Sequence, residues 1–470
     1  MKRPLVLFAL RGFAVLMIAF VGANGAPPSL PTAVSQPQAD ANQTIAFTDV
    51  NVIPMDRERV LPRQTVIVRG GQITEIGPAK SVRTPKGAVK IDGRGQYLMP
   101  GLADLHIHLH SADHLLSYLA YGVTTVLNLD GDPDDLRLRE EIARGARLGP
   151  NYYTCGPRTD GNPPVFGGGA VVASPEEARR AIAEQARAGY DFVKVYNNLA
   201  PETYAALVAE AQAQGLAVVG HVPRKVGVEG VLQAGQAMIA HGEEYFFTYF
   251  RGPADRFNQP GMRSKPDETK IPGIARATAA AGAAVTPNLS FIANTKRQLE
   301  DIQGVWADPE AKYLSPAVLN GWKSNNPTKR RDLEQFMERE KIKYPFVKKL
   351  TKGLSDAGVF LLLGTDASVA GCFPGHSAHV ELRELVAAGL TPYQALATGT
   401  RNAGQFLATH ARSKEKFGTV AAGQRADLIL LKGNPLESIE NISQIVGVMA
   451  RGQWLPRTKL QQMRDDAAAR

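Results

Sequence analysis

The sequence predicts an α/β protein: a (β/α)8 TIM barrel with a small β-sandwich domain formed from its N- and C-terminal flanks. Three observations lead there. From about Met99, short apolar segments alternate with helical patterns. His, Lys and Asp residues fall at the C-terminal ends of several of those segments, the face where such barrels place active sites. Short strands with Gly turns precede the first segment and follow the last. A chain of 470 residues, 44% hydrophobic and 21% charged, is long enough for one large barrel, and its composition excludes a fibrous or disordered protein.

The elements follow in order. Lys2, Arg3 and Arg11 precede an apolar run from Phe13 to Ala23, and small residues close it at Ala23-Asn24-Gly25-Ala26. This reads as a secretory signal peptide over residues 1–25, cleaved before Ala26, and it implies a secreted or periplasmic protein. Eleven apolar residues are too few to span about 30 Å of hydrocarbon, so no stable membrane insertion is expected after cleavage. Residues 26–43, rich in Pro, Ala, Gln and Ser, read as a flexible leader. Residues 44–98 form the first part of the β-domain, with Gly70-Gly71 turning the hairpin between Thr65–Val68 and Gln72–Ile76.

The barrel is assigned to residues 99–400. Its strands are expected at Ala103–Ile107, Val123–Leu129, Asn151–Cys155, Phe192–Tyr196, Ala217–Gly220, Ala237–Ala240, Ala283–Pro287 and Val359–Gly364. Helices fill the gaps, among them Pro175–Ala188 and Pro201–Gln214, each with Pro in the first turn where its missing N–H is harmless. The charged stretch from Ser290 to Leu354 is expected to form extra helices over the barrel mouth. Residues 401–458 return to the β-domain, and 459–470 are left as a C-terminal tail.

The chemistry lies at the strand ends. In Leu105-His106-Ile107-His108, side chains two apart point the same way, so both imidazoles can reach one cation. His221 ends Leu216–Gly220, His241 ends Met238–Ala240, and Asp366 ends Val359–Thr365. Lys194 interrupts the otherwise apolar Phe192-Val193-Lys194-Val195-Tyr196. A lone ammonium is costly to bury. Two resolutions are open: an ion pair with a neighbouring carboxylate, or carbamylation by CO2 to an anion able to bridge two cations.

This set resembles the amidohydrolase superfamily in its binuclear metal branch. Tyr97–His106 is similar to that family's approach to the barrel, and Gly418–Leu431 to its return to the β-domain. The resemblance implies two divalent metal ions, usually Zn2+, one held by His106, His108 and Asp366 and the other by His221 and His241. A CO2-derived carbamate on Lys194 would bridge them. It further implies cleavage of a C–N amide bond by a metal-bridging hydroxide, with Asp366 as general base and then acid. Asp104 is expected either to orient a ligating His from behind or to cap the strand. His376, in Gly375-His376-Ser377, is an expected substrate contact, Tyr196 and Tyr245 are expected either to touch substrate or to pack, and Glu243 and Glu244 are candidates to approach the metals or a substrate amine.

The segments His241–Tyr245, Gly364–Ser368 and Gly375–Leu382 resemble exported prolidase-like and Xaa-Arg dipeptidases and ochratoxinase-like amidases. The expected substrate is therefore a dipeptide or N-acyl amino acid. Two other readings stay open: a cyclic amidase (imidazolonepropionase-like) or deaminase on the same fold, against which Lys194 argues, and a non-catalytic metal-binding protein. The net charge of +9 is scattered and falls by three with the signal, so no nucleic-acid partner is expected. Assembly into a homo-oligomer is left open. Cys155 and Cys372 can pair in an oxidising compartment but are read as free and buried.

Overall fold

The computed structural model describes residues 43–250 and 265–469. The expected signal and all but the last residue of the leader lie outside the described residues. No helix among the described residues is long and apolar enough to cross a membrane.

Eight parallel strands build the barrel: β1 (Leu102–Ile107), β2 (Val123–Asn128), β3 (Asn151–Thr154), β4 (Phe192–Val195), β5 (Ala217–Gly220), β6 (Met238–Ala240), β7 (Ala284–Thr286) and β8 (Phe360–Leu361). They pair in chain order, with Lys194 of β4 beside Val219 of β5 and Ile239 of β6 beside Val285 of β7. Two seams close the ring. A bridge from Cys155 to Phe192 joins β3 to β4, and one from Ile107 to Ala367 joins β1 to the segment after β8. Leu105 N also donates to Leu363 O at 2.9 Å. Regular pairing of β8 is shorter than the expected Val359–Gly364, because Leu363 and Thr365 bond across the seam to Thr398 and His106.

The barrel interior is filled from alternate positions, including Ala103, Leu105, Leu127, Phe192, Val219, Met238 and Leu362. Phe406 of the helix Arg401–His410 stacks on Phe192 at 5.9 Å. By packing, this helix belongs to the barrel and not to the β-domain expected from residue 401.

The flanks meet in one mixed eight-stranded sheet. Ile45–Val52, Leu61–Arg69, Gln72–Pro78, Val89–Asp92 and Tyr97–Pro100 come from the N-terminal side. Leu428–Leu431, Ile445–Ala450 and Gln453–Pro456 come from the C-terminal side. Leu98 pairs with Leu430 where the two flanks join. The sheet has its own apolar interior around Phe47, Val66, Leu98, Leu428 and Met449. Gly70 and Gly71 turn their hairpin at positive φ, as expected.

Between β7 and β8 run the helices Leu289–Glu300, Ile302–Trp306, Pro316–Ser324 and Leu333–Asp356. Their small core of Val305, Leu314, Trp322 and Phe373 grips the loop after β8, and Trp322 Nε1 donates to Ser368 O at 3.1 Å. The residues expected as a C-terminal tail are helical over Arg457–Ala468. Leu460 is buried there, and the Arg464 guanidinium lies 3.6 Å from the Tyr313 ring centre, contacts that offset the cost of ordering the chain end.

Candidate active site

The C-terminal ends of β1 and β8 are laced together. Asp366 N and Thr365 N donate to His106 O at 2.8 and 3.2 Å, and Ser368 N donates to His108 O at 3.0 Å. The lacing brings three side chains to one point. Nε2 of His106 and of His108 lie 3.1 and 3.0 Å from the same Asp366 oxygen, Oδ1. One ligand atom from each of the three lies within 4.8 Å of the others. The remaining histidines extend the cluster. Ring centres of His106 and His241 are 4.6 Å apart, and those of His241 and His221 are 4.7 Å apart.

Lys194 points into the barrel with only 1% of its surface exposed, and its Nζ has no hydrogen-bond partner. Burial lowers its pKa to about 8. Two glycines make the room. A Cβ on Gly220, whose φ is +123°, would stand 2.7 Å from Lys194 Cδ and 2.5 Å from Val195 O. A Cβ on Gly364 would stand 2.8 Å from His106 Cβ. His241, Asp366 and Asn288, at the ends of β6, β8 and β7, all take the left-handed conformation that L-residues rarely adopt (φ +74°, +62° and +53°). Such strain collects at functional sites.

Burial lowers the pKa of His106 to about 3 and holds His221 and His241 well below the usual imidazole range. Burial alone would raise Asp366, but His106, His241 and His108 outweigh it and keep the carboxyl well below its usual range. The result is neutral imidazoles around an ionised carboxylate. His106 Nδ1 and Nε2, His241 Nδ1 and Lys194 Nζ are buried without hydrogen bonds. Native interiors rarely tolerate such a group of orphans. Nitrogen donors without hydrogen-bond partners, gathered around the Asp366 carboxylate, fit a divalent cation.

Glu244, a candidate from the sequence to approach the metals or a substrate amine, instead meets an imidazole of the cluster. His221 Nδ1 donates to Glu244 Oε1 at 2.6 Å, which leaves Nε2 as the lone-pair donor. Asn197 Nδ2 supports the carboxylate with contacts of 3.1 Å to both oxygens. Asn288 was not foreseen. It precedes the helix Leu289–Glu300, where Asn is an excellent cap, yet its side chain makes no cap bond. Glu381 satisfies that helix end instead, accepting from Leu289 N at 3.1 Å and Ser290 N at 2.6 Å. Asn288 is left fully buried with neither amide atom bonded.

Tyr196 lines the site, its ring 4.0 Å from that of His221. Three other residues named from the sequence make contacts of a different kind. Tyr245 is fully buried in the core and its hydroxyl is bonded to Thr278 Oγ1 at 3.0 Å, because the helix Glu243–Thr248 turns this face away from the rim. His376 packs on Tyr121, ring centres 5.4 Å apart, in the helical layer, and His379 beside it meets Tyr121 O at 2.9 Å. The loop after β8 carries His376 away from the imidazole cluster before its helix starts. Asp104 ties β1 to the segment after β8: it accepts from His106 N at 3.3 Å, Thr365 N at 3.1 Å and Thr365 Oγ1 at 2.6 Å. Burial raises its pKa to about 7. Cys155 and Cys372 are buried free thiols.

The amidohydrolase family model matches residues 97–455. The chain belongs to the amidohydrolase family. That family generally uses divalent metals. An ochratoxinase from Aspergillus niger is 24% identical over 468 residues, covering 85% of this chain and 83% of that protein. An adenine deaminase from Rubrobacter xylanophilus is 27% identical over 162 residues, and the chain spans only about a quarter (26%) of that relative's length. In fold, this amidohydrolase is similar to a bottromycin amidohydrolase (TM-score 0.74, 23% identity, 94% of each chain). It is likewise similar to a putative prolidase from Bifidobacterium longum (TM-score 0.67, 24% identity, 90% of this chain and 99% of the other).

Proposed function

We propose that this amidohydrolase cleaves the amide bond of a dipeptide or an N-acyl amino acid with the help of two divalent cations, zinc the first candidate. The observation that carries the reading is the convergence of His106, His108 and Asp366 within 4.8 Å of one another, beside a buried and unpartnered Lys194. His106, His108 and Asp366 would hold one cation, and His221 and His241 the other. Lys194 would lie between them as a carbamate, formed when its neutral amine attacks CO2 and sheds a proton. A pKa lowered to about 8 keeps a useful share of that amine neutral near pH 7.

When bound, the cations supply Lewis-acid polarisation of the carbonyl and acidify a water. The side chains do the rest. Asp366 takes a proton from the attacking water and delivers it to the departing nitrogen. Glu244 and Asn197 hold the His221 ring in one tautomer and one orientation. Tyr196 walls the site beside His221. Export belongs to the same reading and predicts a mature chain that begins at Ala26 by intact-mass measurement.

The test is a panel of dipeptides and N-acyl amino acids offered to the zinc-loaded protein, with Lys194→Ala beside it. Hydrolysis by the wild type, and loss of both activity and one equivalent of zinc in Lys194→Ala, support the reading. Full activity and full metal content in Lys194→Ala would sink the two-cation form. No turnover of any amide by the loaded wild type would sink the substrate class.

A further inference from the structure

The connection from β3 to β4 contains an aromatic feature that the mechanism does not use. Among the described residues, Phe166 (58% exposed), Val171 and Val89 are the most exposed large hydrophobic side chains, and the first two lie on this one connection. The exposed Phe166 ring leaves apolar area that a bound apolar group can cover, a gain in proportion to the area removed from water.

The ring is directed at the site. Phe166 and Tyr196 have ring centres 5.9 Å apart in an edge-on arrangement, and Tyr196 is in turn 4.0 Å from His221. The Arg158 guanidinium stands 5.8 Å from the Phe166 ring centre and 5.3 Å from that of Tyr196. Asp130 pairs with this cation at 2.6 Å, so Arg158 completes an aromatic wall without imposing a full positive charge on what binds there.

The wall is built in advance. Asp160 accepts backbone N–H bonds from Gly161, Val165 and Asn198 at 2.7–2.8 Å, Asn198 Nδ2 donates to Pro163 O at 2.8 Å, and Arg158 Nη2 donates to Gly167 O at 2.8 Å. A preformed wall spends little of the binding free energy on ordering itself.

We propose that Phe166, Tyr196 and Arg158 form the subsite for the substrate's side chain, and that this subsite selects an aromatic group flanking the scissile amide over a small one. The proposal rests on the amide-hydrolase reading above and adds the class of side chain to it. An aromatic ring lying on Phe166 and Tyr196 covers apolar surface on both partners and brings a π-face to the guanidinium plane. A methyl group does neither.

The experiment measures binding of N-acetylphenylalanine and N-acetylalanine to the zinc-loaded protein, and hydrolysis of the matching dipeptides, in the wild type, Phe166→Ala and Phe166→Tyr. The wild type is expected to favour the aromatic compounds by about tenfold. Phe166→Ala should remove most of that preference, and Phe166→Tyr should keep it. A wild type that favours the alanine compounds, or a preference untouched in Phe166→Ala, overturns the subsite and leaves amide hydrolysis standing. Phe166-dependent binding of the aromatic compound with no turnover of any amide supports the subsite and overturns the hydrolase reading instead.

Discussion

The His221 and Tyr196 rings are 4.0 Å apart, yet the two residues belong to regions built by different means. His221 follows β5, its ring is held by Glu244, and its backbone N donates to Val195 O at 3.1 Å. It is one of a cluster whose members all stand at strand ends. Tyr196 faces the other region, the wall on the β3–β4 connection. There Phe166 is held by an arginine, an aspartate and loop backbone, with only the two-residue strands Thr159–Asp160 and Ala170–Val171 for regular structure. The first region leaves little latitude, because each ligand position is set by the ladder beneath it. The second can change side chain without disturbing the ladder. Reaction type belongs to the first and substrate choice to the second.

The largest effect is expected from Asp366→Asn in the strand-end cluster: a fall in kcat of about a thousandfold, measured on whichever amide the wild type turns over best. Residual activity above a tenth of wild type would remove Asp366 from proton transfer. Gly220→Ala attacks the same region from below. Its side chain would collide with Val195 O and the Lys194 stem at φ +123°, and a loss of about 2–3 kcal/mol in denaturant unfolding is expected.

Glu244→Gln should weaken zinc binding by about 10–100-fold in a competition titration, with unfolding cooperativity intact, because only the orientation of His221 is loosened. Tyr245→Phe sharpens the boundary between site and core. It removes the bond to Thr278 and should cost about 1 kcal/mol of stability with kcat/KM unchanged; a large change in KM would return Tyr245 to the substrate contacts.

The smallest effect concerns pH. Burial raises Glu381 to about 8, above its unfolded value, so the folded chain binds the extra proton between roughly pH 5 and 8. This group therefore makes stability fall as pH rises through that window. Glu381→Gln should flatten the fall, read as thermal midpoints at pH 5.5 and 8; an unchanged slope would show that Glu381 does not titrate there.

How much of this was legible depended on the kind of element carrying each residue. His106 and His108 were readable as a pair because strand side chains alternate with a period of two. His221, His241 and Asp366 were readable because each ends an apolar run. Glu244 and Tyr245 show where that stops. They are neighbours on one short helix, and successive helical side chains are turned by about 100°. Glu244 consequently reaches His221 while Tyr245 is driven into the core. Nothing in the five letters after His241 reveals the helix's rotation about its axis. His376 is a related case: nearness in sequence to Asp366 does not say where the loop between them carries it, and its ring packs on Tyr121. Asn288 carries the plainest disguise, since it looks like a helix cap whose task Glu381 performs from 93 positions further along the chain.

The sequence by itself determined the barrel, the strand ends and the donor types, because those follow from local periodicity and from the high cost of placing His, Lys and Asp in apolar runs without a use for them. The tertiary structure alone decided which oxygen His106 and His108 share, which carboxylate steers His221, and which exposed ring overlooks the site. These depend on how helices are rotated and loops are braced against the barrel, relations between residues far apart in the chain that no local pattern encodes.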